Sequence, residues 1–69
     1  MEVCANLKKI RTERRYSQED VAEVLQTTQQ QYSRYELGIH EIPVRHVIAL
    51  CKFYGISADW LLGLKEDME

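Results

Sequence analysis

The stretch that decides the fold occupies residues 17–38 and reads SQEDVAEVLQTTQQQYSRYELG. Ser17 is a favourable helix N-cap, and Asp20 follows three residues later, as a capping box requires. Thr28 is a second N-cap candidate, and Gly38 is a typical residue for ending a helix. The stretch therefore predicts two short helices, over residues 18–25 and 29–37, that are joined by a turn at Gln26 and Thr27.

These two helices have the spacing of a helix-turn-helix unit. Such a unit joins two short helices by three or four residues and places a small side chain in the first helix, so that the helices can cross closely. Ala22 supplies that small side chain. Tyr32 and Tyr35 lie three positions apart, and we expect both in the core. For Tyr35 the alternative is that its hydroxyl contacts a phosphate group of a bound partner.

The flanking sequence predicts three more helices and no strand. Val3, Leu7 and Ile10 recur at helical spacing in a first helix over residues 4–14. Pro43 suits the opening position of a fourth helix, which Gly55 ends. The apolar stripe of that helix consists of Val47, Leu50, Cys51 and Tyr54, widened by Val44 and Ile48. Ser57 then caps a fifth helix over residues 58–62.

The length of 69 residues allows one domain. We expect a single all-α unit over residues 1–69, with an ordered core at about 4–63 and an acidic tail at 64–69. No apolar run is long enough to span a membrane, and the N-terminus does not resemble a secretory signal. A cytoplasmic protein is therefore expected, with Cys4 and Cys51 reduced and Cys51 in the core.

The net charge of −2 does not favour a nucleic-acid partner, but the distribution of the charge matters more than its sum. Basic side chains are concentrated near the first helix, at Lys8, Lys9, Arg11, Arg14 and Arg15. Acidic residues are concentrated in the tail. A basic run alone would be interpreted as a solvated helix face.

The combination of motifs resembles a known family. Residues 18–35, with Tyr-Glu-Leu-Gly at 35–38 and Ile-Ser-Ala-Asp-Trp-Leu-Leu-Gly at 56–63, are similar to the Cro/repressor-type (XRE-like) helix-turn-helix proteins. The similarity is strongest to lambdoid-phage repressors with a Thr-Thr-Gln-Gln run. It implies a compact five-helix bundle of the lambda-repressor-like type, with the helix-turn-helix formed by helices two and three. It also implies sequence-specific binding of double-stranded DNA and a role as a transcriptional repressor.

In that family the third helix lies in the major groove. Position by position, the resemblance implies that Gln29, Gln30 and Arg34 contact bases. A glutamine amide matches the N6/N7 edge of adenine, and an arginine fork matches O6/N7 of guanine. A second group would contact phosphate or support the base contacts: Arg11, Gln18, Thr28, Gln31, Ser33, His40 and Arg45. Within this group, Gln18 is expected to hydrogen-bond Gln29.

The resemblance also implies a buried ion pair and a homodimer. Arg11 would pair with Glu36, since an unpaired charge on the apolar side of the first helix is costly. Two copies would bind a near-palindromic operator. The expected dimer interface consists of Ala58, Trp60, Ile42 and Val44. For Trp60 the alternative is that its ring only covers the fourth helix.

Two features depart from the family pattern. Gln26 stands where glycine is usual, at a turn position that commonly needs a positive φ. Glu41, Ile42 and Val44 stand where the resembled repressors carry basic residues that bind phosphate. Fewer phosphate contacts predict weaker DNA binding with a shallower salt dependence.

Nothing in the sequence indicates an enzyme, a cofactor, a metal site or a small-molecule ligand. There is no glycine-rich phosphate loop, and His40 and His46 are not at metal-ligand spacing with the cysteines. The alternative to a DNA-binding repressor is a helix-turn-helix antitoxin or another protein-interaction module, with a protein as its main partner.

Overall fold

A computed structural model describes residues 2–67, and these residues form five α-helices and no strand. In chain order the helices are α1 (Glu2–Glu13), α2 (Gln18–Val24), α3 (Gln29–Leu37), α4 (Val44–Tyr54) and α5 (Ala58–Leu61). The all-α, five-helix prediction is confirmed. Only the helix ends differ: α1 begins two residues earlier than predicted and, like α2 and α5, ends one residue earlier.

The predicted caps explain where most helices begin. Ser17 Oγ accepts a hydrogen bond from the Asp20 amide at 3.0 Å, and Asp20 Oδ2 accepts one from the Ser17 amide at 2.9 Å. Thr28 Oγ1 accepts from the Gln31 amide at 3.1 Å. Pro43, predicted as the first helical residue of α4, is instead its N-cap, with a ψ of 151° that keeps it extended.

The turn between α2 and α3 places Gln26 at a φ of 56°. This confirms the positive φ predicted for that position. The Thr27 amide donates to the Ala22 carbonyl at 2.9 Å, which closes the turn directly after α2. Arg15, after α1, also has a positive φ, of 62°, which no feature of the sequence predicted.

One core joins the five helices. Its fully buried side chains come from α1, α2, α3, α4 and α5: Leu7, Ile10, Val21, Tyr32, Leu50 and Leu61. Tyr35 is also buried, in agreement with the core position expected for both tyrosines of α3. The core therefore fixes α3 from its inner side and leaves its opposite side to solvent.

The apolar stripe of α4 is narrower than predicted. Val47 and Leu50 are buried, but Val44 is 73% exposed and Ile48 is 50% exposed. Cys51, expected in the core, is half-buried and packs against the edge of the core. Both cysteines are free thiols. An apolar face of α4 thus remains uncovered by the rest of the domain.

The end of the chain lies beyond α5. Residues 64–67 are exposed and lie outside any helix, and the last two positions of the predicted acidic tail fall outside the described residues. Among residues 2–67, none of the helices is both long and apolar enough to cross a membrane.

Candidate nucleic-acid interface

The outer side of α3 carries the three predicted base-contacting residues. Gln29, Gln30 and Arg34 are exposed, and their spacing of one and four positions places them on one side of the helix. Tyr32 and Tyr35 occupy the opposite side and are buried. The tyrosines therefore anchor the helix while its amide and guanidinium groups face solvent.

Gln18, the first residue of α2, lies beside the first residue of α3. Gln29 Nε2 donates to Gln18 Oε1 at 3.4 Å, so the structure brings the predicted pair together at the long end of hydrogen-bonding distance. Gln18 Nε2 in turn donates to Glu36 Oε1 at 3.1 Å. Because Gln18 Nε2 donates to the Glu36 carboxylate and Gln18 Oε1 accepts from Gln29, both ends of the Gln18 amide are engaged and its orientation is set.

The bond from Gln18 leads to an ion pair beneath the helix. Arg11 Nε donates to Glu36 Oε2 at 2.7 Å, and Arg11 Nη2 donates to Glu36 Oε1 at 3.1 Å. The Arg11 side chain is 12% exposed and that of Glu36 only 4%. Arg11 Nη1 also donates to the Tyr16 carbonyl at 3.0 Å, which links the end of α1 to the same group. We call the continuous hydrogen-bonded chain Arg11–Glu36–Gln18–Gln29 the inner network.

The inner network keeps its carboxylate charged. Burial alone would raise the pKa of Glu36, but its interactions with Arg11, Tyr32 and Gln18 outweigh this effect and hold the pKa below its usual value. The bond to Glu36 raises the pKa of Arg11 in spite of partial burial. Both groups are therefore ionised at neutral pH.

A second hydrogen-bonded chain lies along the exposed end of α3. Arg34 Nη1 donates to Gln31 Oε1 at 3.3 Å, and Gln31 Nε2 lies 3.1 Å from His40 Nδ1. We call Arg34–Gln31–His40 the outer network. Gln31 and His40, both predicted to contact or support contacts to phosphate, are thus bound to each other and to a predicted base-contacting residue.

The remaining predicted supporting residues are less closely connected. The Thr28 hydroxyl is used in capping α3. Ser33 is half-buried, and Arg45 is exposed in the first turn of α4. Within residues 2–67, neither Ser33 nor Arg45 forms a side-chain hydrogen bond with the inner or outer network.

The predicted dimer residues divide into two groups. Trp60 is only 4% exposed and belongs to the core of the domain. Ile42, Val44 and Ala58 instead line an open apolar groove with a volume of about 700 Å³. Val3, Ile48 and Leu62 continue the same groove. We call these six groove-lining residues the apolar groove.

Three links in these networks were missed by sequence reasoning: the Gln18–Glu36 bond, the Arg34–Gln31 bond and the pairing of Gln31 with His40. Gln18 and Glu36 belong to different helices, and their approach depends on the angle between α2 and α3. His40 approaches α3 because Gly38 turns the chain back with a φ of 76°. Gly38 was the available signal, but it predicts the end of a helix and not the partner of the next polar side chain.

Comparison with known proteins agrees with this geometry. The family model described as "Helix-turn-helix" matches residues 7–61. The chain is 41% identical over 56 residues to the SPbeta prophage-derived uncharacterized HTH-type transcriptional regulator YonR of Bacillus subtilis strain 168. That match covers 81% of this chain and 52% of the relative.

Two further relatives come from the same organism. The chain is 35% identical over 57 residues to the uncharacterized HTH-type transcriptional regulator YqaE, with 83% of this chain and 49% of the relative covered. It is 28% identical over 64 residues to the similarly named YobD, with 93% and 57% covered. The chain thus spans about half the length of the curated relatives it matches. No solved structure gives a significant match. The family model, the relatives and the paired helices α2 and α3 together show that the chain belongs to the helix-turn-helix family of transcriptional regulators.

Proposed function

We propose that this domain binds double-stranded DNA in a sequence-specific manner and acts as a transcriptional repressor, with α3 inserted in the major groove. The observation that carries the proposal is the exposed edge formed by Gln29, Gln30 and Arg34. The inner network holds Gln29 of this edge, and the outer network holds Arg34. The amide groups of the edge suit adenine and its guanidinium suits guanine. An edge held in place before binding loses less side-chain entropy on contact with DNA.

Phosphate contacts would orient the helix in the groove. Gln18 lies at the start of α2, and basic side chains lie on the preceding segment. Lys8 and Lys9 of α1, and Arg14 and Arg15 in the turn after it, are all exposed. The segment after α3 contributes few cations, since Glu41 and Val44 occupy it. We therefore expect a modest affinity with a shallow salt dependence.

A homodimer would compensate for the modest affinity of one domain. The apolar groove supports this proposal, since Val44 and Ile48 place apolar side chains in solvent around an open surface. A two-fold dimer buries the same patch from both copies. Two domains would then bind half-sites about one helical turn apart on one face of the duplex. On this proposal the protein acts in the cytoplasm, on the nucleoid.

The proposal is tested by selection from a randomised DNA pool at low salt, followed by sequencing of the bound fraction. We expect an enriched, dyad-symmetric site with adenine at the positions of Gln29 and Gln30 and guanine at that of Arg34. A Gln29→Ala variant should lose the preference at one base pair of each half-site. Glu23→Ala, at an exposed position of α2, is the matched control and should select the wild-type site. If the wild-type chain enriches no sequence, DNA recognition is excluded and a protein-interaction role is favoured instead.

A further inference from the structure

The outer network lies where the loop after α3 folds back over the helix. The amides of Ile39 and His40 both donate to the Arg34 carbonyl, at 3.0 and 3.3 Å. The His40 ring then meets the Gln31 amide group beside the same turn of helix. His40 is thus attached to α3 at two points, by its backbone at Arg34 and by its side chain at Gln31.

Two hydrogen-bond arrangements fit the distances in this network, and in both of them His40 binds the Gln31 amide group. Arg34 Nη1 is a donor and occupies Gln31 Oε1. The Gln31 amide then presents Nε2 to His40 Nδ1, at 3.1 Å, and the ring nitrogen accepts. In this arrangement His40 orients Gln31, and Gln31 orients Arg34. In the second arrangement His40 Nδ1 donates to Gln31 Oε1 at 3.3 Å, and this oxygen, which has two lone pairs, accepts from Arg34 as well.

We propose that Gln31 and His40 are specificity-determining residues that position the Arg34 guanidinium for guanine, and that phosphate binding is not their main role. The proposal rests on the DNA-binding function proposed above. Recognition of guanine by arginine needs two parallel hydrogen bonds, so it depends on the orientation of the guanidinium plane. An unsupported arginine on an exposed helix turn samples many rotamers, each with the same charge but a different orientation.

Positioning and phosphate binding predict different results for the same substitutions. A lost phosphate contact weakens binding to all sequences about equally and leaves base preference unchanged. A lost positioning contact lowers the preference at the single base pair that Arg34 contacts. A well-placed arginine discriminates guanine from other bases by roughly 5- to 150-fold, so this loss is measurable.

The experiment compares the wild-type chain with Gln31→Ala, His40→Ala and His40→Gln by selection from the same randomised pool and by competition with single-base-pair variants of the selected site. We expect Gln31→Ala and His40→Ala to reduce guanine preference about fivefold or more at one base pair of each half-site. The base preference at the other positions of each half-site should be retained. His40→Gln should restore the guanine preference at the Arg34 position, because a glutamine oxygen can accept a hydrogen bond from Gln31 Nε2. Circular dichroism checks that each variant is folded.

Uniform weakening with unchanged base preference would overturn the proposal, as would unchanged binding in both alanine variants. These results differ from failure of the proposed function, in which the wild-type chain itself selects no site. A wild-type chain that selects a site without guanine at the Arg34 position would also overturn the positioning role while leaving DNA binding intact.

Discussion

Arg11 and Glu36 form a two-point ion pair beneath the exposed helix, with Nε to Oε2 at 2.7 Å and Nη2 to Oε1 at 3.1 Å. Since the carboxylate is almost fully covered, removing it leaves a largely buried guanidinium without its partner. We predict that Glu36→Ala lowers the free energy of unfolding by about 2 kcal/mol or more, measured by urea denaturation. Glu23→Ala, which removes an exposed carboxylate from α2, should change it by less than about 0.5 kcal/mol. A loss of only a few tenths of a kcal/mol in Glu36→Ala would contradict a stabilising pair.

The lowered pKa of Glu36 predicts a specific acid sensitivity. In the unfolded chain this carboxyl binds a proton near its ordinary pKa of 4.5, while in the folded chain it is still ionised at that pH. The unfolded state then holds more protons, so stability falls as the pH falls, until the pH has passed below the folded-state pKa. Above its ordinary pKa of 4.5, the ionised Glu36 carboxyl makes its full contribution to the free energy of unfolding.

Glu36→Gln tests this sensitivity, because it keeps the shape of the side chain but cannot titrate. Urea denaturation between pH 7 and pH 3 should show a smaller loss of stability at low pH in Glu36→Gln than in the wild type. The other carboxyl groups are common to both proteins and cancel in the difference. Parallel stability profiles over the whole range would mean that Glu36 does not carry this linkage.

Gln18 should act on DNA recognition through Gln29. We predict that Gln18→Ala reduces the base preference at the position contacted by Gln29 and adds little further loss there in a Gln29→Ala background. Such non-additivity amounts to about 0.5–3 kcal/mol for directly coupled residues. Binding to a series of single-base-pair operator variants measures it. Glu19→Ala, one residue away and exposed, serves as the control; strictly additive effects of Gln18 and Gln29 would show that the two residues act independently.

The turn at Gln26 should be improved by glycine. An L-residue in the left-handed region costs about 1–2 kcal/mol relative to its usual conformations, and glycine does not incur this cost. Part of that gain is offset by the greater freedom of glycine in the unfolded chain. We predict that Gln26→Gly raises the free energy of unfolding by about 0.5–1 kcal/mol, whereas Gln26→Ala, which keeps a Cβ, leaves it nearly unchanged. Equal effects of the two substitutions on thermal unfolding would contradict this explanation.

The apolar groove should control self-association. Val44→Glu places a charge on an exposed part of this surface and should weaken dimerisation tenfold or more, without loss of helix content. Lys52→Glu introduces the same side chain into the same helix outside the groove and is the matched control. Sedimentation equilibrium measures both. Retention of the wild-type dimer in Val44→Glu would place the interface elsewhere, and a monomeric wild type would exclude the proposed dimer.

The fold could be predicted largely from local signals, because helix caps act within one turn of the chain. Ser17 and Thr28 specify where α2 and α3 begin, and Gly38 specifies where α3 ends. How much of the apolar stripe of α4 is buried by other helices could not be predicted from local signals. Val44 and Ile48 continue an apolar stripe, but whether another helix covers that stripe depends on the packing angle of α5 and the N-terminal turn of α1.

In the candidate site, too, some features follow from local signals and others depend on tertiary packing. The positions of Gln29, Gln30 and Arg34 on one side of α3 follow from helical periodicity, and the structure agrees. The hydrogen bonds that support those side chains depend on tertiary geometry and, for His40, on a loop. Resemblance identified the Arg11–Glu36 and Gln18–Gln29 pairs, since both come from matched positions. It gave no indication of the outer network, which no matched position implied.

The inner network and the outer network both hold side chains of α3, but mutations in the two networks would disturb different parts of the domain. The inner network runs through a covered carboxylate, so a change near Gln29 is coupled to the stability of the whole domain. The outer network lies in solvent on a turn and a loop, where substitutions leave the core untouched. On the proposed function, a change of operator would therefore be acquired most easily by altering the base contacts of Arg34, whereas the base contacts of Gln29 would be retained.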